Sequence, residues 1–154
     1  MADQNNPPSV KMLKQLFEQL SEQDGDKSKG ILIPEVCIDS IKETKDGFQS
    51  IIDLIQDQLD AYRKAKSTHQ YLIDRMVHNL EHFMMVTKQD YNDSLDELCD
   101  LIRDSWSTDT LDSEMTKWGD EMEAYCCRSV DELRMMMDNH TMMLKMADQN
   151  RKSS

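Results

Sequence analysis

The residues whose spacing could support chemistry are few: four histidines, four cysteines and a short run of oxygen-bearing side chains near the N-terminus. His78 and His82 are four apart, which places two imidazoles on one helical face, a spacing used in metal sites. They lie nearly opposite the apolar seam of their own segment, however, and no Glu-x-x-His motif supplies the other half of a di-metal cage, so both read as solvent-facing. His69 falls in the seam itself and reads as a core histidine. Cys37, Cys99, Cys126 and Cys127 form no C-x-x-C pair and no zinc-finger spacing. The adjacent Cys126–Cys127 pair reads as packing and rim. There is no Gly-rich phosphate loop and no G-x-S-x-G.

Oxygen side chains recur at every second position in Asp24, Asp26 and Ser28, with Ile31 at the eighth place and Glu35 at the twelfth. Hard oxygen ligands at these places resemble an EF-hand loop, and the resemblance implies Ca²⁺ held by Asp24, Asp26, Ser28 and Glu35. The match departs at Lys29, where the sharp turn wants glycine; Gly30 comes one place late, and Lys27 and Lys29 set two positive charges beside the ligands. No second loop pairs with it. The segment therefore reads chiefly as a polar connector with Glu35 in the first turn of the next helix, and any Ca²⁺ affinity is expected at the weak, roughly millimolar end of the range. A calcium-responsive binding protein is the alternative to the functional reading below.

What must position any site is helical. From Val36 to Phe83 apolar residues step in alternating threes and fours: Ile38, Ile41, Phe48, Ile52, Ile55, Leu59, Tyr62, His69, Ile73, Met76, Leu80 and Phe83, with Lys45 and Lys66 in two slots of the same lattice. A 3-4 repeat of that length keeps one seam on one side of a helix, as in coiled coils and long bundles. Unbroken, it would be roughly 70 Å long. Only 4 Gly and 3 Pro leave little material for turns. The expected fold is all-α, an elongated helical bundle or antiparallel coiled coil of three to four helices.

In order, residues 1–8 read as a disordered tail, and 9–148 as one helical domain. Within it, Ser9 caps a short helix over 9–23 whose stripe is Val10, Leu13, Leu16, Phe17 and Leu20. A polar loop follows over 24–33. A long helix spans 34–88, either continuous or broken near Asp46–Gly47, with a second soft spot at Lys66-Ser67-Thr68. Thr87 to Asp90 has the form of a capping box, so an acidic helix is expected to restart over 90–105. A last long helix covers 110–148, and 149–154 should fray.

The charge is −12 overall. Twelve carboxylates between Asp90 and Glu123 face only Arg103 and Lys117, so this segment carries −10 of it. That balance argues against direct contact with nucleic acid or an anionic membrane surface. No signal peptide and no apolar run long enough to span a membrane are seen, and a cytoplasmic, intracellular setting with reduced thiols is expected, the nucleus being compatible. Asp93, Glu97, Asp100 and Asp104, three and four apart, form either a solvated face or a docking face for a basic partner. Methionine is over-supplied at 13 residues. In the last helix Leu111, Met115, Trp118, Met122 and their successors make one stripe, whereas Met135, Met142 and Met146 fall on the opposite side. Flexible thioethers suit surfaces that accept helices of varied shape. The expectation is a non-enzymatic interaction protein without cofactor, an adaptor or a subunit of a larger helical assembly. It would bind a helical partner protein or a second copy through its Met-rich and acidic faces.

Overall fold

The computed structural model describes residues 9–20, 35–65 and 68–153. All regular structure among them is helical: α1 (Val10–Leu20), α2 (Glu35–Lys64), α3 (Gln70–Ser105) and α4 (Leu111–Ser153). Ser9 starts α1 as the sequence predicts. Its hydroxyl accepts from the Met12 amide at 3.2 Å, which satisfies one otherwise orphaned donor of the first turn, and its carbonyl accepts the first intrahelical bond, from Leu13. At the other junction, Asp112 and Glu114 sit in the first turn of α4, where carboxylates are stabilised by the helix dipole.

The chain runs up, down and up. One end of the bundle joins Cys37 and Ile41 of α2 to Leu98, Cys99 and Ile102 of α3 and to Leu111, Met115 and Trp118 of α4, with Leu13 of α1 closing the layer. The middle joins Ile51, Ile55 and Leu59 to Leu80 and Leu133. At the far end Leu72, Ile73 and Met76 pack with Tyr62, Leu144 and Ala147. Thus α2 and α4 are parallel, and α3 runs against both. α4 has 43 residues, about 64 Å of helix. The result is an all-α helical bundle.

Two small residues decide how close α2 and α4 come. An ideal Cβ on Gly47 would lie 3.0 Å from Cys126 Sγ, and one on Gly119 would lie 3.4 Å from Ser40 Oγ. Ser40 and Gly47 are seven apart on α2, as Gly119 and Cys126 are on α4, so small meets large twice in one parallel register. Asp46–Gly47 therefore does not break the helix. A mid-helix glycine costs about 1 kcal/mol relative to alanine, and here the missing side chain leaves room for a thiol.

The helix expected over 34–88 is in fact two helices. α2 stops at Lys64, and α3 begins at Gln70, so the break lies between these two residues and not at Asp46–Gly47. The seam continues in sequence across that break, but folding it into a hairpin buries Ile55 and Leu59 against Leu80 within one chain. The acidic helix expected over 90–105 is likewise the second half of α3. Thr87 does not cap it: its hydroxyl donates to the Phe83 carbonyl at 2.9 Å inside a continuous helix, a bond open to any mid-helix threonine. Two seam positions also shift. Ile51 and Thr44 are buried, whereas Ile52 and Lys45 are only half-buried, because the buried face steps 3-4 from Ile41 through Thr44, Phe48, Ile51 and Ile55 instead of 4-3 through Lys45 and Ile52. α4 continues to Ser153, past the tail expected to fray from Gln149. The calls on 1–8 and on 24–33, residues 21–23 of the first helix, and the side chains of Leu16, Phe17 and Leu20 lie outside the described residues.

Candidate helix-docking site

Between α3 and α4 runs a groove of about 340 Å³, with Phe83 and Val86 on one wall and Tyr125 and Met136 on the other. Behind Tyr125 lies an aromatic layer. Phe48 of α2 stacks on Tyr125 with ring centres 5.3 Å apart, and it tilts against Tyr91 at 5.0 Å. The Tyr125 hydroxyl donates to the Asp90 carboxylate. Burial, then that hydrogen bond, pushes the Tyr125 phenol up to about 12, and burial also pushes Tyr91 well above the usual phenol range. Tyr91 keeps its hydroxyl buried with no hydrogen-bond partner among the described residues, an orphaned donor that costs stability. His82, Arg128 and Glu132 stand at the groove's rim.

From the middle of the groove one line of α3 leads outward. Val86, Asp90, Asp93, Glu97, Asp100 and Asp104 follow one another at alternating fours and threes, the spacing of a single helical face. Asp93, Glu97, Asp100 and Asp104 are all exposed. The acidic strip is thus the continuation of the α3 wall. Asp96 lies to one side of it and pairs with Lys14 of α1 at 2.9 Å; with both partners half in solvent, the pair is worth little.

The other half of the molecule exposes several large apolar side chains. Met135, Met142 and Met146 are 66%, 61% and 56% exposed, on a helix whose opposite face holds the buried Leu133 and His140. They are not covered from both sides within the chain. Met143 on the same helix, with Tyr71, Met85 and Val86 on α3, are also exposed. In the sequence the doubled Met84–Met85 and Met142–Met143 are the signal for two of them, whereas Tyr71 and Val86 carry none.

The remaining chemical candidates are structural. His140 is buried, with its Nδ1 3.4 Å from the Tyr62 hydroxyl, and burial lowers its pKa. His69 is buried at the start of α3, and its Nε2 meets Asp148 Oδ1 at 2.8 Å, tying the α2–α3 connection to the end of α4. His78 and His82 are exposed. Burial raises the Cys37 thiol to about 12 and the Cys99 thiol to about 11, and it raises Cys126 as well. These thiols stay protonated at neutral pH, which is the inert form. Among the described residues no group of three or more His, Cys, Asp or Glu is placed to hold a metal ion, and no helix is long and apolar enough to cross a membrane. Of the candidate Ca²⁺ ligands, Asp24, Asp26 and Ser28 lie outside the described residues. Glu35 opens α2, its side chain not being described. Compared with family models, curated proteins and solved structures, the chain finds no match.

Proposed function

We propose that this chain is a non-enzymatic helical interaction protein, an adaptor or assembly subunit that binds helices along its α3–α4 side. The observation that carries the reading is the exposure of Met135, Met142 and Met146 on a helix whose other face already fills the core. Apolar area left in water forgoes about 25 cal/mol per Å², and nothing inside the monomer gains from it. Thioethers adapt to partner helices of different shape. The α3–α4 groove adds a second recognition element, since its apolar walls lead directly onto the strip Asp93, Glu97, Asp100 and Asp104. A helix laid there would need an apolar face at one end and basic residues at the other. Buried, protonated thiols and phenols support a binding role over nucleophilic chemistry.

Replacing Met135, Met142 and Met146 together with Gln tests the reading. Gln keeps helix propensity close to that of Met. The melting temperature of the isolated monomer should hold while association is lost. A fall of several degrees in the monomer would show that the stripe belongs to the core, and the interface would then lie on the acidic strip.

A further inference from the structure

We infer that the α4 methionine face is covered by a second copy of this chain, with the two α4 helices antiparallel about a dyad near Asp138 and Asn139. The inference rests on the reading of that face as an interface, and the pattern of charges beside it identifies the occupant. Asp131, Asp138 and Lys145 are seven apart and line one flank of the methionine stripe, all three exposed. Lys145 makes no ion pair among the described residues. Asp131 makes only a loose one with Arg134, at 4.0 Å and largely in solvent. In a parallel pair Asp131 of one copy and Lys145 of the other would stand fourteen positions, about 21 Å, apart along the helix axis and could not meet. In an antiparallel pair with Met135 facing Met142 of the other copy, Lys145 falls within one residue's rise of Asp131 of the partner copy. The symmetry makes that contact twice. Asp138 comes near itself at the dyad, with Arg134 one turn away to offset it.

Long-range charge agrees. Most of the −12 lies between Asp90 and Glu123, at the end of the bundle where α3 finishes and α4 begins. A parallel dimer would bring two such ends together. An antiparallel one centred near Asp138 separates the α4 starts by about 80 Å, far beyond the roughly 8 Å screening length at physiological salt.

Sedimentation equilibrium on the full chain tests it. Wild type should show a reversible monomer–dimer equilibrium. Asp131→Lys and Lys145→Asp should each raise the dissociation constant about tenfold, because each turns two attractions into two repulsions. The double variant Asp131→Lys/Lys145→Asp should restore dimerisation to within a few-fold of wild type. Both sites are exposed on a helix, and unchanged monomer melting curves will show that each variant is folded. A wild-type chain that stays monomeric at about 100 μM, on the order where weak specific pairs assemble, overturns the inference. It would leave the methionine face to a different protein and the functional reading intact. Dimerisation that single swaps do not weaken, or that the double swap fails to restore, also overturns it. A methionine triple variant with a lowered monomer melting temperature would instead show the stripe to be core, overturning this dimer and moving the helix-binding interface to the acidic strip.

Discussion

Two glycines on facing helices should respond to the same substitution in opposite directions. At Gly119 an added Cβ would stand 3.4 Å from Ser40 Oγ, at the edge of ordinary contact. Gly119→Ala then gains the helix propensity of alanine, about 0.8–1.0 kcal/mol, with little to set against it. At Gly47 the added Cβ would stand 3.0 Å from Cys126 Sγ, and the Cys126 thiol or the helix that carries it must give by a few tenths of an ångström. Overpacking of that kind costs about 1–3 kcal/mol. After the propensity gain is subtracted, Gly47→Ala should be between neutral and about 2 kcal/mol destabilising. The two variants should therefore differ by about 1–3 kcal/mol, and for a chain of this size 1 kcal/mol moves Tm by about 2–4 °C. Urea unfolding followed by helical circular dichroism measures both. Cys126→Ala removes the obstructing sulfur, so Gly47→Ala in that background should recover the stabilisation seen at Gly119. If Gly47→Ala alone stabilises as much as Gly119→Ala, the parallel register of α2 and α4 and the close contact at Cys126 are wrong.

Two further outcomes follow from the core. Ile55 is fully buried, so Ile55→Asp should cost several kcal/mol, enough to unfold a marginal domain. The exposed Asp57, two residues on, should tolerate Asp57→Ala within about 0.5 kcal/mol, and equal melting temperatures would discredit the register. Burial depresses the pKa of His140, so the unfolded chain takes up its proton first as pH falls. Its contribution to stability is present above the ordinary histidine pKa and is lost below it. Melting temperature measured from pH 7.5 to 5.5 should therefore fall more in wild type than in His140→Gln, and identical slopes would count against a neutral, buried imidazole.

Periodicity alone determined that the chain is helical and which faces are apolar. Leu59, Ile73, Met76 and Leu80 are buried where the 3-4 pattern put them, because a helix presents every third or fourth residue to one side whatever it packs against. Composition determined where the negative charge gathers. The same local rules placed Ser9 at the start of α1, since a cap needs only its own next turn. Hairpin or rod was not legible, since a seam that runs unbroken in phase through Lys66 serves either, and only long-range burial of Leu80 beside Ile55 chooses. Asp46–Gly47 looked like a break for the same reason: nothing near it in sequence announces Cys126, 79 positions further on. Thr87 had the spelling of a cap, and tertiary packing kept it inside α3. The second methionine stripe could be read as a face, but not as exposed or covered. The tertiary structure decided that, by spending the opposite side of α4 on the core shared with α2 and α3 and leaving Met135, Met142 and Met146 in solvent.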